Sequence, residues 1–142
     1  MSVTHILMVD DFLPWHHFVS VILQREIDMR IISTAADGLE AVRKAKEIKP
    51  HLILMDVSLP GINGFDATRQ IRIDSPTSRV LFLSAHRDSD LIRAAFGVGA
   101  CGYVLKSDSN PDLILGIRAV LLGQPFVSRS LINWRENSDC MS

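Results

Sequence analysis

Five side chains with acid–base or hydroxyl chemistry stand where short apolar runs of the sequence end. Two adjacent carboxylates follow "HILMV", a third follows "HLILM", a hydroxyl closes "RVLFLS" and an ammonium follows "GYVL". These residues are Asp10, Asp11, Asp56, Ser84 and Lys106. Because like charges repel and carboxylates resist burial, an acidic pair at the end of so apolar a run requires a cationic partner.

A divalent cation is the partner that three clustered carboxylates favour. Mg²⁺ prefers oxygen ligands and is commonly held by one or two carboxylates together with phosphate oxygens. Asp56 is then a candidate nucleophile for a phosphoryl group, since carboxylates form acyl phosphates. Lys106 would pair with the phosphoryl oxygens as a point charge, and the Ser84 hydroxyl would donate to another oxygen. The turn "LPGING" at 59–64 contains two glycines, so its backbone can approach this site closely.

The elements that must position these side chains are short strands alternating with helices. Five apolar runs are mostly continuous rather than alternating, which is typical of strands buried on both faces: residues 5–10, 30–36, 51–56, 79–85 and 102–106. Amphipathic segments predict helices between and after them, at about 14–26, 37–48, 64–74, 88–98 and 110–122. Trp15 and Phe18 share one face of the first helix, Asp37 caps the second, and Asp108 or Asn110 caps the last.

Five successive β-α units predict an α/β domain with a parallel sheet and right-handed crossovers. In such a sheet, ligands bind beyond the carboxyl ends of the strands. The five chemically active side chains each lie at such an end. We therefore expect them to converge on one rim of the sheet.

Composition limits the function classes. The chain has 142 residues, the size of one domain, and its formal net charge of −1 gives no reason to expect binding to nucleic acid or to an anionic membrane. Its two cysteines, Cys101 and Cys140, lack metal-ligand spacing. The sequence shows no secretory signal and no apolar stretch near the roughly 20 residues that span a bilayer. These features favour a cytoplasmic protein.

Four motifs, in order and suitably spaced, resemble the response-regulator receiver domain of two-component signalling. They are "VDD" at 9–11, "LILMDVSLPGINGFD" at 52–66, "FLSA" at 82–85 and "GYVLKS" at 102–107. The resemblance covers about residues 4–127. It implies a flavodoxin-like (βα)5 three-layer sandwich with strand order 2-1-3-4-5.

The resemblance also implies roles for individual residues in a phosphorelay. Asp56 matches the residue that accepts a phosphoryl group from a histidine kinase or phosphotransfer protein and becomes an aspartyl phosphate. Asp10 and Asp11 match the acidic pair that binds Mg²⁺, with Asp11 as the direct ligand, and the backbone carbonyl of Ser58 matches a further protein ligand. The remaining matches are the phosphoryl-binding and switch residues Ser84, Tyr103 and Lys106. The implied protein is a signalling switch rather than a conventional enzyme, although it catalyses its own phosphoryl transfer and slow dephosphorylation.

Two departures separate this chain from many receivers. Ser107 stands where proline often follows the lysine, which resembles the LuxR/NarL-type subgroup, as does "DLILGIRAVLLGQPFVS" at 112–128. The isomer of the Lys106–Ser107 peptide stays open, because a cis bond is costly without proline. The tail at 128–142 is too short for the DNA-binding domain typical of that subgroup. We therefore expect a stand-alone receiver rather than a truncated one, with a short helix in the tail and without direct nucleic-acid or membrane binding.

Three other functions compete with this interpretation. A flavodoxin-like cofactor binder would place hydroxyls and backbone amides after the first strand, where Asp10 and Asp11 would repel a phosphate. An aspartate phosphohydrolase usually carries a second aspartate two residues after the first, where Ser58 stands. A receiver-like scaffold that takes no phosphate would not need the complete set of five residues. His86, two residues after Ser84, is either a surface residue or an influence on dephosphorylation rate.

The last helix is expected to present a partner surface. At 100° per residue, one face should meet the sheet and the other should meet solvent. The first face contains Leu113, Ile117, Val120 and Leu121, and the second contains Leu115, Ala119 and Leu122. Exposed apolar residues in a stripe often mark protein contacts. The expected partner is a kinase or a second copy of the chain, in a homodimer through this helix.

Overall fold

Six parallel strands form one sheet in this computed structural model, which describes residues 2–131. The strands are β1 (Thr4–Val9), β2 (Met29–Ala35), β3 (Leu52–Met55), β4 (Arg79–Ser84), β5 (Gly102–Leu105) and β6 (Phe126–Val127). Their spatial order is β2-β1-β3-β4-β5-β6. The predicted flavodoxin-like order 2-1-3-4-5 is confirmed, and β6 is an additional edge strand that the sequence did not predict.

Helices cover both faces of the sheet. They are α1 (Leu13–Leu23), α2 (Gly38–Ile48), α3 (Gly64–Asp74), α4 (Ser89–Gly97) and α5 (Ser109–Leu121). Residues of α2, α3 and α4 share one hydrophobic cluster with alternate strand residues such as Leu7, and residues of α1 and α5 share a second cluster with the intervening ones, such as Met8. Both faces of each central strand are therefore buried, which explains why the runs are continuously apolar.

Helix faces and ends follow the predicted pattern with two exceptions. The Asp37 side chain accepts a hydrogen bond from the Glu40 amide, at 2.8 Å, and so caps α2 as predicted. Asp108 precedes α5, but its side chain makes no capping bond, and its carboxylate accepts instead from the Ser130 hydroxyl. Asn110, the predicted alternative, has a non-helical backbone (φ −112°, ψ 108°) directly before Pro111, as a cap residue does. Phe18 of α1 is 44% exposed rather than packed on the sheet.

Helix α5 divides into buried and exposed faces as predicted. Leu113, Ile117 and Val120 are fully buried, whereas Leu115 is 46% exposed and Leu122 is 77% exposed. Leu121, predicted to face the sheet, and Ala119, predicted to face solvent, are both half-buried. No helix of α1–α5, within the described residues, is both long and apolar enough to cross a membrane.

Strand β6 fits against β5 because two glycines leave room for Phe126. A Cβ on Gly116 would lie 2.9 Å from the Phe126 ring, and one on Gly102 would lie 3.0 Å from its carbonyl oxygen. Beyond β6, a short 3₁₀ helix at Arg129–Leu131 continues the chain, and Leu131 joins the hydrophobic core. Most of the predicted tail lies outside the described residues, so the domain boundary at 127/128 stays a prediction.

Candidate functional site

The sheet brings the predicted residues together at the carboxyl ends of four strands. Asp10 follows β1, Asp56 follows β3, Ser84 closes β4 and Lys106 follows β5. In a parallel sheet these ends lie on one edge, so residues almost 100 positions apart in sequence become neighbours. The convergence expected from the strand ends is therefore present.

Three carboxylates form a compact acidic cluster on this edge. One oxygen from each of Asp10, Asp11 and Asp56 lies within 4.8 Å of the other two. Asp10 and Asp56 are buried, at 1% and 7% exposure, while Asp11 is exposed to solvent. An all-oxygen donor set of this charge fits a hard divalent cation, because that cation offsets the repulsion among the carboxylates.

The ammonium of Lys106 lies between two of these carboxylates. Its Nζ is 2.6 Å from Asp10 Oδ2 and 3.6 Å from Asp56 Oδ2, and its side chain is 20% exposed. The other Asp10 oxygen accepts a hydrogen bond from the Phe12 amide, at 2.9 Å. Lys106 is thus paired chiefly with Asp10, although the sequence placed it beside the phosphoryl group expected on Asp56.

The charge of Asp56 is only partly compensated. Burial raises the pKa of the Asp56 carboxyl, Lys106 opposes this rise, and the neighbouring Asp10 adds to it. The net direction is a pKa above the ordinary value of 3.8. A cation that entered the cluster would favour the ionised carboxylate and lower that pKa.

This raised pKa predicts that Asp56→Asn stabilises the cation-free protein at neutral pH. Between pH 3.8 and the raised pKa, the folded protein binds more protons than the unfolded chain, so the contribution of Asp56 to stability falls as pH rises through that window. Asparagine carries no charge and avoids this loss. We expect a gain of about 0.5–2 kcal/mol at neutral pH, a common size for stabilising substitutions, and a smaller difference near pH 4.

Denaturant unfolding of both proteins in chelator, across a range of pH, measures this difference. Asp66→Asn is the control, because Asp66 is exposed and pairs with Arg69 on the helix surface. A wild-type protein that is the more stable of the two at neutral pH would contradict the prediction.

His86 contacts three site residues, which the sequence did not predict, and its influence on the dephosphorylation rate stays a prediction. Its backbone amide donates to Ser84 Oγ at 3.1 Å, and its carbonyl accepts from the Tyr103 hydroxyl at 2.8 Å. Its Nε2 lies 3.1 Å from Ser58 Oγ, across the mouth of the site. Ser84 and Tyr103 are both fully buried, and burial raises the pKa of the Tyr103 hydroxyl.

Of two further expectations for the loops, the structure decides one. Ser58 is exposed, two residues beyond Asp56, and the role of its carbonyl as a ligand stays a prediction. The Lys106–Ser107 peptide bond is trans. Among residues 2–131 the cis peptide bond is Asn110–Pro111. The Trp15 ring, which the sequence assigned only to a helix face, lies beside Lys106 with its centroid 5.1 Å from Nζ. The sequence signal that could have placed Trp15 near the site is its position four residues after Asp11.

Comparisons with known proteins agree with this geometry. A family model described as the response regulator receiver domain matches residues 6–118. The oxygen regulatory protein NreC of Staphylococcus aureus is 37% identical over 127 residues, which are 89% of this chain and 58% of that protein. The chain therefore spans less than two thirds of the length of the curated relatives that it matches.

Two solved structures show the same architecture. A two-component response regulator of the LuxR family from Aurantimonas sp. has 32% identity and a TM-score of 0.92, with 98% of this chain and 99% of that chain covered. The response regulator domain of Thermotoga maritima CheB has 30% identity and a TM-score of 0.79, with coverages of 84% and 96%. This chain therefore belongs to the response-regulator receiver family of two-component signalling, in its LuxR/NarL-type branch.

Proposed function

We propose that Asp56 accepts a phosphoryl group from a histidine kinase or phosphotransfer protein, and that the domain then changes conformation to control a partner. The observation that carries this proposal is a buried carboxylate held 3.6 Å from an ammonium and beside two further carboxylates. An Asp56 oxygen attacks phosphorus, an acyl phosphate forms, and the bond between phosphorus and the donor atom breaks. Attack by water on the acyl phosphate later returns the free carboxylate, slowly.

The acidic cluster would hold Mg²⁺ during this transfer. Asp11, Asp56 and the Ser58 carbonyl are the proposed direct ligands, and Asp10 would act mainly through water. The cation would supply charge compensation for the transferring oxygens. The fit is supported by the carboxylate oxygens within 4.8 Å of one another.

The chain's own residues complete the phosphoryl site. Lys106 would pair with phosphoryl oxygens on Asp56, from which its ammonium is already 3.6 Å distant. The Ser84 hydroxyl accepts from the His86 amide, so its proton is available to donate to a phosphoryl oxygen. The ammonium of Lys106 and the hydroxyl of Ser84 would together stabilise the negative charge of the transferring phosphoryl group.

The direct test is labelling with a small acyl phosphate, with and without Mg²⁺, followed by mass-spectrometric mapping of the adduct. We expect a magnesium-dependent adduct on the peptide that contains Asp56. An adduct on another residue, or none under conditions where the protein is folded, would reject the proposal.

Removing Asp11 is predicted to weaken Mg²⁺ binding about tenfold or more, because a hard cation loses one of its few protein oxygens. Asp11 is exposed, so Asp11→Ala should leave stability nearly unchanged. Magnesium titration followed by backbone NMR shifts around residues 10–11 and 56–58 measures the affinity. Asp66→Ala is the control, because Asp66 is exposed on the surface of α3. Asp37→Ala is unsuitable, because Asp37 caps α2. An unchanged titration curve for Asp11→Ala would show that the ligand assignment is wrong.

The switch residues predict a change in amide exchange on phosphorylation. In the structure the Tyr103 ring is fully buried and its hydroxyl is bonded to the His86 carbonyl, which ties the β4–α4 loop inward. A phosphoryl group that attracts the Ser84 hydroxyl would favour this inward arrangement, since only contacts that differ between two states shift their populations. We expect a beryllofluoride mimic with Mg²⁺ to slow exchange across residues 84–105.

Ser84→Ala should reduce that protection at least severalfold, because the variant lacks the hydroxyl that joins the loop to the phosphoryl group. Ser20→Ala, on the exposed surface of α1, is the matched control. Equal exchange with and without the mimic in the parent protein would remove the argument for this switch.

We also propose that the exposed face of α5 contacts the partner. Leu115 and Leu122 are exposed on the side of the helix that faces away from the sheet, at 46% and 77%. A kinase or a second copy of this chain would cover them, and a symmetric dimer would pair the face with its own copy.

A further inference from the structure

The aromatic ring of Trp15 lies against the charged end of Lys106. The Nζ atom of Lys106 is 5.1 Å from the centre of the indole, within the distance at which a cation is attracted to an aromatic face. Trp15 is in the first turn of α1, and the ring of Phe18 stacks on it at 4.8 Å with an interplanar angle of 30°. The second ring therefore helps to keep the indole in place beside the lysine.

The position of this indole is not selected by a hydrogen bond. The Nε1 atom of Trp15 is buried and has no partner among the described residues. Burying an N–H group without a partner costs free energy, which the packing of the ring must offset. The indole packs against the hydrophobic cluster that α1 and α5 share, and its ring also contacts the Phe18 ring and the Lys106 ammonium.

Of the three neighbours of the ammonium, Trp15 is the one without a charge. Asp10, at 2.6 Å, and Asp56, at 3.6 Å, are both carboxylates that gain new partners in the proposed function. A cation in the acidic cluster would share Asp10 with the lysine, and phosphorylation would convert the Asp56 carboxylate to an acyl phosphate. The attraction of the indole face depends on its quadrupole and is the same in each of these states.

We propose that Trp15 is a positioning residue for phosphoryl transfer, which holds the Lys106 ammonium above Asp56 while the two carboxylates change partners. This inference rests on the proposed function of Asp56. Without the indole, the Lys106 ammonium would pair with the nearer Asp10 carboxylate alone. Its long side chain would then no longer be oriented toward the incoming phosphoryl group. Trp15 thus acts on the reaction through Lys106 and touches no reacting atom.

The first experiment compares rates of labelling by a small acyl phosphate at saturating Mg²⁺. Trp15→Leu is expected to lower the rate about 5- to 30-fold, the range that a partly desolvated cation–aromatic contact supplies. Trp15→Phe should recover part of the loss, because phenylalanine keeps an aromatic face of weaker attraction. Leu13→Ala is the control, because it removes an exposed apolar side chain from the same first turn of α1. Equal losses in Trp15→Leu and Leu13→Ala would overturn the proposal in favour of helix packing.

A second experiment asks whether Trp15 acts through Lys106. In a Lys106→Met background, Trp15→Leu should add less than about a twofold further loss, because the ammonium on which the ring acts is gone. An undiminished loss in that background would overturn the proposal. Circular dichroism and thermal unfolding of each variant exclude misfolding as the cause.

Fluorescence provides a measurement that does not depend on labelling. With Trp134 replaced by phenylalanine, Trp15 is the one tryptophan in the chain. Its emission should change on Lys106→Met, and it should stay unchanged on Lys46→Met, which alters an exposed lysine of α2. Identical emission with Lys106 and with Met at position 106 would show that the indole does not contact the ammonium, and would overturn the proposal. If Lys106→Met changes the emission of Trp15 but the parent protein takes no label on Asp56, the proposed function is rejected while the contact between Trp15 and Lys106 is supported.

Discussion

Asp56→Asn is expected to lower labelling by an acyl phosphate at least about 100-fold, because the variant lacks the nucleophile and not merely a group that assists it. The asparagine amide is a poor nucleophile toward phosphorus, while its size is nearly that of the aspartate it replaces. Lys106 and the other two carboxylates remain in place. The measurement is the rate of adduct formation at saturating Mg²⁺, followed by intact mass.

Stability data for the same variant separate chemistry from folding. Asp56→Asn is expected to be more stable than the parent protein at neutral pH in the absence of cation, since burial raises the pKa of the native carboxyl. A folded, stabilised protein that takes no label cannot be explained by misfolding. Asp66→Asn should label at the parental rate. Retention of full labelling by Asp56→Asn would place the phosphoryl group on a different residue.

Gly64→Ala is expected to destabilise the protein by about 3 kcal/mol or more, the upper part of the range for forcing an extra methyl into a packed site. A Cβ at Gly64 would lie 2.1 Å from the backbone carbonyl oxygen of Asp56 and 3.1 Å from the Phe82 ring. Both neighbours are held firmly, because one is backbone at the end of β3 and the other is a fully buried side chain. The start of α3 must therefore move away from β3.

This displacement should also slow labelling, because Asp56 lies on the backbone that the new methyl group would push. Gly97→Ala in α4 is the matched control: no heavy atom lies within 4 Å of a Cβ built there. Alanine favours a helix over glycine by up to about 1 kcal/mol, so that variant should be neutral or slightly more stable. Denaturant unfolding measures both. A Gly64→Ala protein within about 0.5 kcal/mol of the parent would show that the loop tolerates the methyl group.

The two glycines also differ in a way that depends on tertiary packing rather than on local sequence. The turn at 59–64 was predicted to approach the site closely, and the structure places Gly64 against Asp56. The sequence singled out the turn that contains Gly64 but did not show how tight the contact is, since Gly64 and Gly97 both lie in helices. The difference arises from the neighbouring strand, which sequence periodicity does not describe.

Much of the fold was determined by the sequence alone. Apolar runs without alternation indicated strands with two buried faces, and helical spacing indicated the segments between them. This pattern suffices because the periodicity of a strand or a helix is a local property of the chain. The meeting of Asp10, Asp56, Ser84 and Lys106 was also predictable, since strand ends in a parallel sheet lie on one edge. Their individual roles in the reaction stay predictions.

Only the tertiary structure decided which groups contact one another on that edge. It placed Lys106 nearer to Asp10 than to Asp56, brought the Trp15 ring beside the same ammonium, and joined His86 to Ser84 and Tyr103. It also added β6, a strand of two residues that is too short to show a period. These outcomes depend on distances between side chains far apart in sequence, and on the space that glycines such as Gly116 leave open. Residue type and spacing along the chain determine the elements and their order, whereas packing between elements determines the partner of each charge.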